Sequence, residues 1–167
     1  MTFRSLLTLL ALIATAAFSS AASAKEDANP GAVTIIRVHH DWRDAASFKR
    51  IAEYFDGKEH NGGEALRRSH PEVRSGYYFF VRVKNPGALR PAKAALEVIT
   101  STSAQAVHYE FPVELRAGDT VFNIGLTGAD WPDAKLRPVA WKLQFLGADG
   151  SVLATEASYL WEKPAAN

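Results

Sequence analysis

Four of the five histidines, His39, His40, His60 and His70, lie close together in the chain, with Asp41 and Glu59 between them and Glu72 just beyond. Imidazole and carboxylate form the donor set that zinc prefers. Two neighbouring histidines in a strand point to opposite faces, however, so His39 and His40 work against each other as joint ligands. No HExxH or HxH spacing is present. The expectation is therefore a set of loop and strand-end histidines with no metal. A metal-dependent reading would need His39 or His40 to converge with His60 or His70.

Arg67, Arg68 and Arg74 form a local basic group that could grip a carboxylate, sulfate or phosphate through forked hydrogen bonds. Glu64 and Glu72 lie beside it and offer partial local neutralisation. Two of the four tryptophans, Trp42 and Trp131, fall in segments that read as turns, and Trp131 is framed by Thr127-Gly128-Ala129-Asp130 and Pro132-Asp133. An exposed indole there would suit a sugar or a peptide, as binding hot spots do. Trp42, Trp131, Arg67, Arg68 and Arg74 are thus the candidate ligand-binding residues. Trp141 sits on an apolar strand face and reads as core. Asp130, Asp133 and Asp119 lack the alternating acids and closing Glu of an EF-hand, so they read as turn caps.

No catalytic residue and no cofactor are expected. The chain has no Cys for a thiolate, no GxSxG elbow and no GxxxxGK[ST] phosphate loop.

The elements that must position these residues are mainly strands. In Gly76 to Lys84, Tyr77, Phe79, Val81 and Val83 share one face, and Tyr78, Phe80, Arg82 and Lys84 the other, before an Asn85-Pro86-Gly87 turn. The same alternation runs through Tyr109, Phe111, Val113 and Leu115, and through Val139, Trp141, Leu143 and Phe145. Gly147-Ala148-Asp149-Gly150 leads into a last strand spanning Ser151 to Trp161. Further strands are expected at Ala32 to Val38, Lys93 to Ser101 and Thr120 to Leu126.

Between the first strand and Gly76 the pattern changes. Phe48, Ile51, Ala52 and Phe55 have helical spacing, with Asp44 as a start and Gly57 as a stop. An extended hairpin arm is the competing assignment, because Phe48, Tyr54 and Phe55 also suit a strand. Lys58 to Ser75 is polar, is broken by Asn61-Gly62-Gly63 and His70-Pro71, and reads as a long loop. The expectation is an all-β, immunoglobulin-like or fibronectin-like antiparallel sandwich of about seven strands, with one short helix and a long loop after the first strand.

Residues 1–24 read as an export signal. Arg4 supplies the positive start, Leu6 to Phe18 the apolar run, and Ala22-Ser23-Ala24 the small-residue end before Lys25. That run is too short to span a bilayer. A single domain over 25–163 and a frayed tail over 164–167 complete the expected layout. Lys plus Arg nearly balance Asp plus Glu, 19 against 18, which makes nucleic acid and acidic membranes poor partners. Without disulfides the fold must rest on packing. The functional expectation is a periplasmic or secreted, non-catalytic protein that binds a protein or glycan partner or plays a structural role. Carbohydrate binding through loop tryptophans is one alternative, and metal binding in the His39 to His70 segment is another.

Overall fold

Period-two alternation of large apolar residues does build a two-layer β fold. The computed structural model describes residues 32–60 and 65–162. The expected export signal at 1–24 and tail at 164–167 lie outside the described residues. Among the described residues eight strands are seen, where about seven were expected: β1 (Thr34–Arg43), β2 (Ala65–Arg68), β3 (Gly76–Asn85), β4 (Arg90–Thr100), β5 (Ser103–Leu115), β6 (Gly118–Thr127), β7 (Pro138–Gly147) and β8 (Val152–Ala157). They form two four-stranded sheets, ordered β1-β3-β6-β2 and β5-β4-β7-β8. Every neighbouring pair is antiparallel apart from β2 and β6, which run parallel.

The core lies between the sheets and uses the faces that alternation assigned. Tyr77, Phe79, Val81 and Val83 are all buried, as are Phe111, Val113 and Leu115 opposite them. Phe122 of β6 meets Phe145 of β7 with ring centroids 5.4 Å apart. Trp141, Leu143 and Phe145 face inward, but Val139 is exposed. It sits beside the register shift between Ile99 and Thr100, where β4–β7 pairing becomes irregular. Asn85, buried in the β3–β4 turn, satisfies its amide by donating to the carbonyls of Ala88 and Leu115, each at 3.0 Å. Such pairing removes the cost of burying a polar group.

The departures from expectation cluster between β1 and β3. β1 begins at Thr34 and continues to Arg43, so Trp42 lies in a strand and not in a turn. The expected helix over 44–57 is broken into a 3₁₀ turn at Ala45–Phe48 and a single turn, α1 (Glu53–Asp56). Asp44 does cap the start, accepting from the Ser47 backbone N–H, and Gly57 does stop α1 in the left-handed region at φ 68°. Lys49 between them is extended, at ψ 124°. Helices this short gain little from their own hydrogen bonds, so contacts with the sheet decide their course.

The segment expected as a loop contains β2, whose pairing with β6 is extended by side-chain ties. The Thr127 hydroxyl accepts from the His70 N–H at 3.0 Å and donates to the His70 carbonyl, while the Ser69 hydroxyl accepts from the Thr127 N–H. The last strand ends at Ala157, and Tyr159–Glu162 form α2, so Trp161 is helical.

Candidate functional site

The histidines go to separate places because strand alternation and different elements carry them apart. His39 turns outward and stacks on Phe80 at 6.0 Å. His40 turns inward, its Nδ1 2.8 Å from the Tyr77 hydroxyl and its ring edge-on to Trp141 at 5.7 Å. Burial holds the His40 imidazole below its usual pKa, with His39 adding to the effect and Asp41 opposing it. His60 pairs with Asp56 at 2.7 Å, and His70 lies 3.3 Å from Asp130. Among the described residues, no three His, Cys, Asp or Glu side chains are grouped to hold a metal.

Both candidate tryptophans are placed against the expectation of exposed loop platforms. Trp131 is only 2% exposed and stacks on Tyr77, with ring centroids 4.7 Å apart. It follows the 3₁₀ turn at Gly128–Asp130 and folds inward, closing the end of the core. Trp42 is half-buried and packs against the same core. Neither ring is set out from the surface to stack on a sugar.

The three arginines are engaged within the molecule, and among the described residues their acidic partners do not include the sequence neighbour Glu72; Glu64 lies outside the described residues. Arg67 donates through Nε to the Pro112 carbonyl at 2.6 Å, linking β2 to β5 of the other sheet. Arg68 grips both carboxylate oxygens of Glu59 with its two terminal nitrogens, and Arg74 meets Glu53 at 2.7 Å and Glu59 at 3.4 Å. These acids come from the segment 44–60, an arm laid across the outer face of the β1-β3-β6-β2 sheet.

Tyr78 is the pivot of that contact. Its side chain points away from the core, yet it is fully buried. Phe48 packs on its ring at 4.5 Å, and the Arg68 guanidinium lies over Phe48 at 5.5 Å. The Tyr78 hydroxyl accepts from Arg68 Nε at 2.9 Å and donates to the Arg74 carbonyl at 2.6 Å. Burial pushes its pKa up, while the hydrogen bond from Arg68 works the other way. Gly125, its register partner on β6, leaves room for the ring, since a Cβ there would collide with Tyr78.

Beside this contact, arm and sheet line a partly open cavity of about 340 Å³. Its apolar lining is Phe48, Leu66 and Phe80, and its cations are Arg43, Lys49 and Arg50. Arg43 spans Phe80, with its guanidinium carbon 5.4 Å from the ring centroid. The Arg43 Nε is enclosed and has no hydrogen-bond partner among the described residues. None of the three cations has an ion-pair partner among the described residues. The carboxylate at the wall is Glu59, which is already committed to Arg68 and Arg74. The hydrogen bond from Arg68 holds it below its usual pKa. On the other side of Phe80 an open groove adds Arg37 and Arg82, which face each other in register.

The cavity combines guanidinium and ammonium groups that have no ion-pair partner among the described residues with aromatic and aliphatic surface. That combination holds an anion by charge-assisted hydrogen bonds and an attached apolar part by ring contact. Arg43, Lys49 and Arg50 escape sequence reading because they converge only when the arm folds over β3 and β6. Comparison of the chain with protein-family models, curated proteins and solved structures finds no match.

Proposed function

We propose that this is a non-catalytic binding protein, acting after export at the cell envelope or outside it, which holds an anionic ligand with an apolar part beneath the arm. The observation that carries this is the cavity chemistry: three cations without ion-pair partners among the described residues, set around Phe48, Leu66 and Phe80. A carboxylate or phosphate on a ring or a short aliphatic chain matches it, and an acidic sugar is the form a glycan ligand would take. The strand order supports reading the fold as fibronectin-like, with β3 and β6 central in one sheet, β4 and β7 central in the other, and β2 as an added edge strand.

Calorimetric titration with aromatic carboxylates, fatty acids, uronic acids and inorganic phosphate tests this reading. A saturable ligand should emerge whose affinity falls about tenfold in Arg43→Gln and in Arg50→Gln, since each loses a charge-assisted hydrogen bond. Added salt should weaken it further. Absence of binding across all four ligand classes, or equal affinity in both variants, would refute the proposal.

A further inference from the structure

The arm also presents an apolar tip that the sandwich does not cover. Ile51, Tyr54 and Phe55 are 78%, 75% and 86% exposed. Sequence spacing assigned Ile51 and Phe55 to a buried helix face, but the arm is held the other way round. Glu53 is the side chain of α1 that turns inward, where it is 8% exposed and paired with Arg74. That tie leaves the neighbouring Tyr54 and Phe55 facing out.

The charges around the tip are unequal in what they have left to give. Lys49, Arg50 and Lys58 bracket it and are exposed. The carboxylates of the same stretch are occupied: Glu53 by Arg74, Asp56 by His60 and the Lys58 N–H, and Glu59 by Arg68. The tip is therefore apolar, ringed and locally cationic, although the whole chain carries a formal charge of only +1.

We propose that this tip docks on an anionic lipid bilayer. Ile51 and Phe55 would enter the boundary between headgroups and acyl chains. Tyr54 would sit at headgroup level, with the surrounding lysines and arginine on lipid phosphates. A second copy of the chain fits less well, because two such tips bring like charges together. The tip shares Lys49 and Arg50 with the cavity, but its apolar residues Ile51, Tyr54 and Phe55 do not line that cavity.

Vesicle sedimentation of the whole protein tests it, using phosphatidylcholine vesicles with and without phosphatidylglycerol. The protein should sediment with the anionic vesicles and not the neutral ones, and should be released by salt. The exposed double variant Ile51→Ser with Phe55→Ser should lose about tenfold in binding while keeping the melting temperature of the parent. Arg43→Gln, in the cavity, should sediment like the parent, so failure of the cavity reading and failure of this one are distinguishable. Equal binding by the double variant, or no binding to anionic vesicles, would overturn the proposal. So would a parent dimer in light scattering that the double variant abolishes, because the tip would then be a contact between copies.

Discussion

Between the two sheets, Phe79, Leu96, Phe122 and Phe145 meet as fully buried hydrocarbon. Between the β1-β3-β6-β2 sheet and the arm, the buried centre is Tyr78, ringed by Arg68, Arg74, Glu53 and Glu59. The first interface is non-directional and depends on area removed from water. The second depends on the placing of donors and acceptors, so it responds to pH and to the loss of single atoms. Hydrocarbon fills the space between the sheets, whereas directional bonds leave room for a cavity beside them.

Substitution of Trp141 should break the comparison hardest. Trp141→Ala empties a large part of the interior and should cost about 3–5 kcal/mol in chemical denaturation. Gln144→Ala on the same strand, whose amide donates to the Thr155 hydroxyl on the outer face, should change stability by less than about 0.5 kcal/mol. Similar losses in the two variants would mean that the faces of β7 are wrongly assigned.

A smaller and more local effect is expected beneath the arm. Tyr78→Phe keeps the ring but strips the Arg68 Nε and the Arg74 carbonyl of their shared partner, at a cost of about 1–3 kcal/mol. Hydrogen exchange should locate that loss in residues 45–60 and in β2 and leave β4 and β7 protected. Uniform loosening of both sheets would show instead that arm and sandwich form one cooperative unit.

Acid should separate the two interfaces most gently. The hydrogen bond from Arg68 holds the Glu59 carboxyl below its usual value of 4.5, and Arg74 does the same for Glu53. A depressed carboxylate contributes stability that is fully present above its ordinary value and is lost as pH falls through the folded one. Protection across 45–60, taken relative to the intrinsic exchange rate at each pH, should therefore fall as pH drops below about 4.5, ahead of any change in the tryptophan fluorescence of the interior. Simultaneous change in both signals would count against a separately held arm.

The arm also marks where sequence reading stopped working. The strand faces of β3, β5 and β7 were legible because the pleat repeats every two residues and needs no knowledge of the rest of the chain. The turn at Asn85 and the hairpin at Gly147 to Gly150 were legible for the same local reason. β2 was not, since Ala65-Leu66-Arg67-Arg68 carries no alternation and owes its form to β6 and to the ties at Ser69 and Thr127. The spacing of Phe48, Ile51 and Phe55 suggested one helix face, but Phe48 alone turned inward. Glu53, which pairs with Arg74 in β2's neighbourhood, took the position an apolar residue would hold in an amphipathic helix.

Composition and alternation alone determined that this chain forms layered strands with rings between them and no cross-links, because side-chain period and solvent exclusion act over a few neighbouring residues. Only the tertiary structure decided which acids the arginines would hold, that Trp131 would close the core, and that Arg43, Lys49 and Arg50 would face one cavity. Those outcomes depend on contacts between segments that do not adjoin in the chain, such as Arg74 with Glu53 and Trp131 with Tyr77. They follow from how the arm closes over the sheet, and no local pattern records that closure.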